Sequence, residues 1–417
     1  VKVINYHHFT NLSELKASWR LHSAAREIAG GDLPLELAPL SEKTISIPFQ
    51  KPILNPGEEA WLTVSFTLPE KTIWAPAGHE VAFDQFKLPI SAPLKALEGA
   101  AAPLSLSETP ERVVIEGSGF AYTFDKKEGT LASLTVNGKP VLKDGPRLDV
   151  FRAPIDNENT GWEHNKRVKA NWESEEWFYY QLDEVDEQVQ SVEVKRVSES
   201  KIEVVITTLW ENNLPGRQLH GFDVRYHYTV LGSGDILLNH RVTPFGRELA
   251  YLQKVGVRLQ LPAELQQLTW YGRGPFETYP DRKTGAKMGL YQSTVAEQYV
   301  PYLFPQDHGN KSDVRWATLT NGDGVGLAVF ADPHMDLAVS NYSVDNLTRA
   351  RYPFQLKEAG YVTLCLDHKV TGVGDTPVLP LMKYRTWPAE YQYTLRLRPF
   401  SEKNVSALEL SGQAVKN

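Results

Sequence analysis

Residues 269–286 read T-W-Y-G-R-G-P-F-E-T-Y-P-D-R-K-T-G-A; the stretch runs on through 301–310, P-Y-L-F-P-Q-D-H-G-N, to 311–316, K-S-D-V-R-W. A strand end carrying Leu268, Trp270 and Tyr271 breaks here into Gly272, Gly274, Pro275 and Pro280. Glycine admits backbone conformations that side chains forbid and proline removes a ladder donor, so the strand stops and a shaped loop begins. Asp281 and Arg282 follow the second proline directly. Adjacent opposite charges on one loop are expected to fix it through charge-assisted hydrogen bonds rather than to exchange protons.

Working outward, short turn-bounded strand patterns fill the chain. Before this loop they fall at 112–116, 120–124, 131–136, 201–209, 222–231, 235–242 and 255–261; after it they fall at 315–319, 325–330 and 391–397. Asn137-Gly138 is a type I′ hairpin signal. No helix-length periodic segment alternates with strands, and no repeat of 20 to 50 residues recurs. At the N-terminal end, 2–7, 16–21, 44–49 and 60–66 alternate apolar and polar residues in the spacing of an immunoglobulin-like sandwich. Between 93 and 110 the composition turns to Ala, Pro, Ser and Leu, which reads as a linker. The expected organisation is a β-sandwich over 1–92, a linker over 93–110, a large all-β domain over 111–400 and a tail over 401–417.

The 270–282 segment resembles the W-x-G-x-G-P-x-E-x-Y-P-D-R signature of the C-terminal domain of the large β-galactosidases of glycoside hydrolase family 2. Residues 305–310 match that family's P-Q-E-N-G-N-type turn, and 74–86 match its W-x-x-x-G-H-x-x-A-x-x-Q-x pattern. The resemblance implies an immunoglobulin-like sandwich followed by a large antiparallel supersandwich of galactose mutarotase-like fold. It also implies hydrolysis of terminal β-D-galactosyl residues by a retaining mechanism. The family's catalytic acid and nucleophile are two glutamates on a TIM barrel, and eight strand-helix units over ~250 residues are needed to build one. Nothing here reads that way, so the chain is expected to carry no catalytic glutamate and to be inactive alone. It would complete and gate an active site built elsewhere.

Three elements are expected at the rim of that site. Arg152-Ala153-Pro154-Ile155-Asp156-Asn157-Glu158 resembles the family's R-A-P-x-D-N-D element, with Glu158 in place of the last Asp. It leads into a loop at the active-site mouth in the family; equally, Arg152 and Asp156 simply pair and cap a turn. Asp281 and Arg282 form the second element. The third is 367–375, D-H-K-V-T-G-V-G-D, which resembles a run ending in a sugar-stacking Trp. Here Val378 falls where that Trp would stand, and an aliphatic group offers no flat π-face, so acceptor-side binding should be weaker or altered. Asn157 and Asp375 are expected to lie largely exposed on one rim. The cluster Glu173, Glu175, Glu176 lies between two tryptophans and reads as a solvated surface rather than a catalytic pair.

Composition bounds the rest. A formal net charge of -7 with no basic run argues against nucleic acid. No run approaches the ~20 apolar residues of a membrane-spanning helix. Cys365 is the only cysteine, which rules out an intrachain disulfide and any cysteine-based zinc site, and its apolar run places it in a core strand. No cofactor or metal is expected in this chain; the resemblance implies Mg and Na sites outside it. The expected partners are N-terminal sugar-binding, immunoglobulin-like and barrel domains, in the same chain or a separate subunit, with homo-oligomerisation of the whole. The chain opens on Val1, and the expectation is that an N-terminal portion lies outside it, along with any segment that would decide between cytoplasm and periplasm. The rival readings are a separately encoded small subunit and a free-standing sugar-binding or mutarotase-like protein. The last needs a His acid and a Glu base on one face, for which His220, His227, His240 and His308 are available.

Overall fold

A computed structural model describes residues 1–24, 26–97, 101–158, 177–212, 216, 218–375 and 379–414. The chain divides into two compact units, one of Val1–Ala96, Lys287–Leu290 and Gly412–Asn417, the other of Leu97–Ala286 and Tyr291–Ser411. Both are all-β apart from short helical turns.

In the first unit an antiparallel sheet orders Glu27–Asp32, Lys16–His22, Glu59–Thr67 and Glu80–Ser91, and Lys2–Ile4 pairs with Glu42–Thr44. Strict alternation in Lys16–His22 turns Ala17, Trp19 and Leu21 inward, where Trp19 and Leu21 pack with Leu62 and Val64.

The second unit is a sandwich of two antiparallel sheets. Five strands run in the order Lys139–Leu142, Thr130–Val136, Phe120–Asp125, Arg112–Gly117, Ser105–Glu108. Facing them is a larger sheet whose main path orders nine strands, Asp144–Asp149, Lys254–Pro262, Tyr361–Val370, Val325–Ser340, Tyr391–Ser401, Ile236–Gly246, His220–Leu231, Lys201–Glu211, Gln188–Ser198, and off that path Lys311–Thr320 pairs with both Val325–Ser340 and Gln267–Gly274. One core joins the sheets: Val113, Ile115, Tyr122, Phe124 and Leu134 from the first pack with Ile202, Val204, Ile206 and Tyr228 from the second. The Phe124 and Tyr228 rings meet edge-on at 5.0 Å, a geometry that adds to the area they bury. Asn137 and Gly138 take φ of 49° and 77° between Val136 and Lys139, which is the hairpin their sequence calls for. Cys365 is buried in Tyr361–Val370.

Two sequence expectations are corrected. The 93–110 segment is not simply a linker: Ser105–Glu108 is hydrogen-bonded to Arg112–Gly117 as the edge of the five-stranded sheet, and Lys95–Ala96 pairs in parallel with Gln413–Ala414. Within the expected 401–417 tail, the described residues 401–414 are likewise not loose, since Ala407–Ser411 is a helical turn whose Leu410 is buried. In both places short, polar or Ala-rich strands lack the apolar alternation that sequence reading depends on.

Candidate functional site

The ladder registers explain why distant segments converge. Asp149 lies opposite Gly256, and Lys254 lies opposite Val370. The chain therefore leaves Asp144–Asp149 and Tyr361–Val370 at the same end of the sheet, with 150–158 and 371–375 side by side. The loop after Gln267–Gly274 and the 302–307 turn join them around a cleft of about 320 Å³ lined by Asp156, Asn157, Arg282, Asp307 and Asp375 among others. Such loops on one end of a rigid β scaffold are where binding function is expected.

Beneath the cleft lies a buried charge network. The Arg152 guanidinium donates to Glu158 Oε1 at 2.7 Å and to the carbonyls of Thr371 and Gly372 at 2.7 and 2.9 Å. Glu158 Oε2 accepts from Ile155 N–H at 3.1 Å and from Gln253 Nε2 at 3.0 Å. Burial disfavours the charged guanidinium, but Glu158 and Asp307 outweigh it and the Arg152 pKa rises above its ordinary value. Arg152 is 1% exposed and Glu158 0%. The expectation that these two stand at the substrate rim is therefore corrected: they lie under it and pair with each other. The alternative partner, Asp156, instead takes Gln306, whose amide Oε1 accepts from Asp156 N–H at 3.0 Å and whose Nε2 donates to Asp156 Oδ2 at 3.1 Å.

The rim itself carries exposed Asp156, Arg282 and Asp375. Asn157 is half-buried, its Nδ2 donating to Val373 O at 2.7 Å, so the expectation of a largely exposed Asn157 is corrected. Asp281, expected at the rim beside Arg282, does not line the cleft; it holds the loop, accepting from the N–H groups of Val373 and Gly374 at 3.0 and 2.8 Å. Arg282 reaches toward Glu277 at 3.6 Å; a hydrogen bond with Tyr302 and the Glu277 carboxylate raise its pKa. Buried Tyr279 donates its hydroxyl to Asp307 at 2.9 Å, and burial together with Asp307 keeps that hydroxyl un-ionised. Val378 and the cluster Glu173, Glu175, Glu176 lie outside the described residues.

Sequence reading missed Tyr279, Tyr302, Gln306 and Asp307 as cleft residues. The signal for them is their place in the loop motifs 270–282 and 301–310. It also missed Gln253, whose amide bridges Arg152 N–H and Glu158 and which sits in an ordinary strand-entry sequence. None of the four histidines lines the cleft. His220 and His308 bond to backbone carbonyls, His240 to the Tyr393 hydroxyl, and His227 stands 3.7 Å from Glu203 on a sheet face. Among the described residues no three or more His, Cys, Asp or Glu side chains are grouped to hold a metal ion. The cleft offers carboxylates as acceptors and a guanidinium as donor, a set suited to a hydroxyl-rich ligand.

Comparison with known proteins shows the family to which the chain belongs. A β-galactosidase from Priestia megaterium is 31% identical over 378 residues, covering 89% of this chain and 34% of its own. One from Vibrio cholerae is 30% identical, covering 90% and 36%, and one from Vibrio vulnificus 28% identical, covering 96% and 38%. The chain thus spans about a third of the length of the curated relatives it matches. A solved galactose 1-epimerase from Lactobacillus acidophilus aligns over 72% of this chain at 7% identity and a TM-score of 0.36, a likeness too weak to carry argument. Residues 1–89 match the family model described as β-galactosidase, domain 4. Residues 116–397, most of the chain, match the model described as β-galactosidase small chain, and the protein belongs to that family.

Proposed function

We propose that this chain is the C-terminal, barrel-free part of a retaining β-galactosidase and that its cleft forms part of the rim facing the galactoside. The observation that supports this most directly is the convergence of Asp156, Arg282, Asp307 and Asp375, from four separate segments, on one polar cleft. Its side chains recognise hydroxyl groups, while the acid and nucleophile that a retaining glycosidase needs ~5 Å apart come from a barrel in another part of the enzyme. The galactoside, the barrel and the remaining N-terminal domains are its partners, and the whole assembles as a homo-oligomer. Mg and Na sites belong to those other parts. Val378, at the sequence position where the family carries Trp, makes acceptor-side binding differ from lactose-preferring relatives.

Purified 417-residue chain should give no turnover of an aryl β-galactoside, and supplying the missing portion should restore it. Turnover by the chain alone, retained after host enzyme is removed, would refute the assignment. A restored complex indifferent to Asp375→Ala and Asp156→Ala would refute the rim.

A further inference from the structure

The segment 371–375 is gripped from two sides by opposite charges. From below, the buried Arg152 guanidinium takes the carbonyls of Thr371 and Gly372. From the side, Asp281 takes the next two N–H groups, Oδ1 accepting from Val373 at 3.0 Å and Oδ2 from Gly374 at 2.8 Å. Consecutive peptide groups thus turn their oxygens to a cation and their nitrogens to an anion, each bond strengthened by a full charge.

The backbone is shaped to admit the carboxylate. A Cβ on Gly372 would lie 2.3 Å from Asp281 Oδ2 and 2.4 Å from its Cγ, so only glycine lets the anion close on the two N–H groups. Gly374 takes φ of +65°, which a side chain adopts only with strain. On the cleft side, Val373 O receives the Asn157 amide at 2.7 Å, and Asp375 follows with its side chain exposed. Asp281 does not itself line the cleft; its chain neighbour Arg282 does, as do Val373, Gly374 and Asp375.

We propose that Asp281 is a positioning residue for substrate: by fixing 373–374 it sets where Asp375 and the backbone around it meet the hydroxyl groups of a bound galactoside. This rests on the reading of the cleft as substrate rim. Among the described residues Asp281 accepts hydrogen bonds from the backbone of Val373 and Gly374, so on this proposal its loss raises KM and leaves the bond-breaking step nearly untouched.

The test uses Asp281→Asn, Gly372→Ala and the double variant. In Asp281→Asn one oxygen becomes an NH₂ facing an N–H donor. Gly372→Ala leaves the charge alone and pushes the backbone off it, so it carries the test if the first variant does not fold. Amide exchange is read on the 417-residue chain, and kinetics with an aryl β-galactoside on the longer enzyme containing it. Exchange at Val373 and Gly374 should quicken about tenfold and KM rise about tenfold, as expected for one charge-assisted hydrogen bond, with kcat falling less than threefold. The double variant should be no worse than the more damaged single one, because both break the same contact.

Unchanged exchange at 373–374 would overturn the anchoring itself. Faster exchange with unmoved KM, or a fall in kcat at constant KM, would overturn its action on substrate. A longer enzyme that turns over no galactoside even with the native residues would refute the rim reading and this inference with it, a failure told apart because the exchange result still reports on the anchor.

Discussion

Replacing Arg152 by alanine should cost the large unit about 4 kcal/mol. Removing one partner of a buried ion pair typically costs about 3–5 kcal/mol, because the other is left charged and dry, and Glu158 is fully buried beside it. The carbonyls of Thr371 and Gly372 also lose their donor, at roughly 1–3 kcal/mol each if they stay buried. These losses do not add, because the 371–375 loop can lift and admit water. With total stabilities of about 5–15 kcal/mol, the variant should sit near the folding threshold. Urea unfolding followed by tryptophan fluorescence measures the loss. Arg152→Met combined with Glu158→Leu should recover at least about 1 kcal/mol relative to Arg152→Ala, since no lone charge remains. A loss below about 1 kcal/mol in Arg152→Ala, or a double variant as unstable as the sum of its parts, would refute the view that this pair staples the rim from below.

Two further outcomes concern the interior of the same unit. Burial alone would raise the Asp313 pKa, but hydrogen bonds from Arg273 at 2.5 Å and Lys283 at 2.9 Å overcome it and hold it at about 2, below its ordinary 3.8. A depressed carboxylate pKa stabilises the fold above the ordinary value and loses that contribution as pH falls through the folded one. Asp313→Asn should therefore cost about 2 kcal/mol at neutral pH, and its difference from the native chain should shrink to nothing between pH 4 and 2 in acid-titrated unfolding; asparagine tolerates the φ of +57° found there. The buried Tyr228 hydroxyl has no hydrogen-bond partner among the described residues. Tyr228→Phe should stabilise by about 1 kcal/mol, and a loss of stability in thermal melts would show that the hydroxyl is satisfied after all.

Legibility in the sequence followed the physics of each element. Lys201–Glu211 is readable because one face is fully buried and the other is not, so Ile202, Val204, Ile206 and Trp210 fall on the inward positions, with Thr208 the one polar residue among them. Glu27–Asp32 was not, because its Ala-Gly-Gly centre buries nothing and reads as a turn. Glu80–Ser91 overlaps the family pattern but shows no strand pattern, since none of its twelve residues is fully buried. The rim divides in the same way. Asp281 was read correctly as a loop anchor because two charges after a proline have little else to do, and its backbone partners lie 92 and 93 residues away. The Arg152 partner was open to misreading because proximity in sequence favours Asp156, whereas the single helical turn Asp156–Glu158 swings Glu158 back beneath the guanidinium. Sequence distance misleads where one turn of helix intervenes, and here it inverts the roles: the nearer acid faces the cleft and the farther one holds the floor. The residues that line the cleft are thus distinct from those that hold them in place. A substitution at Asp156 should be felt in binding first, and one at Arg152 in folding first.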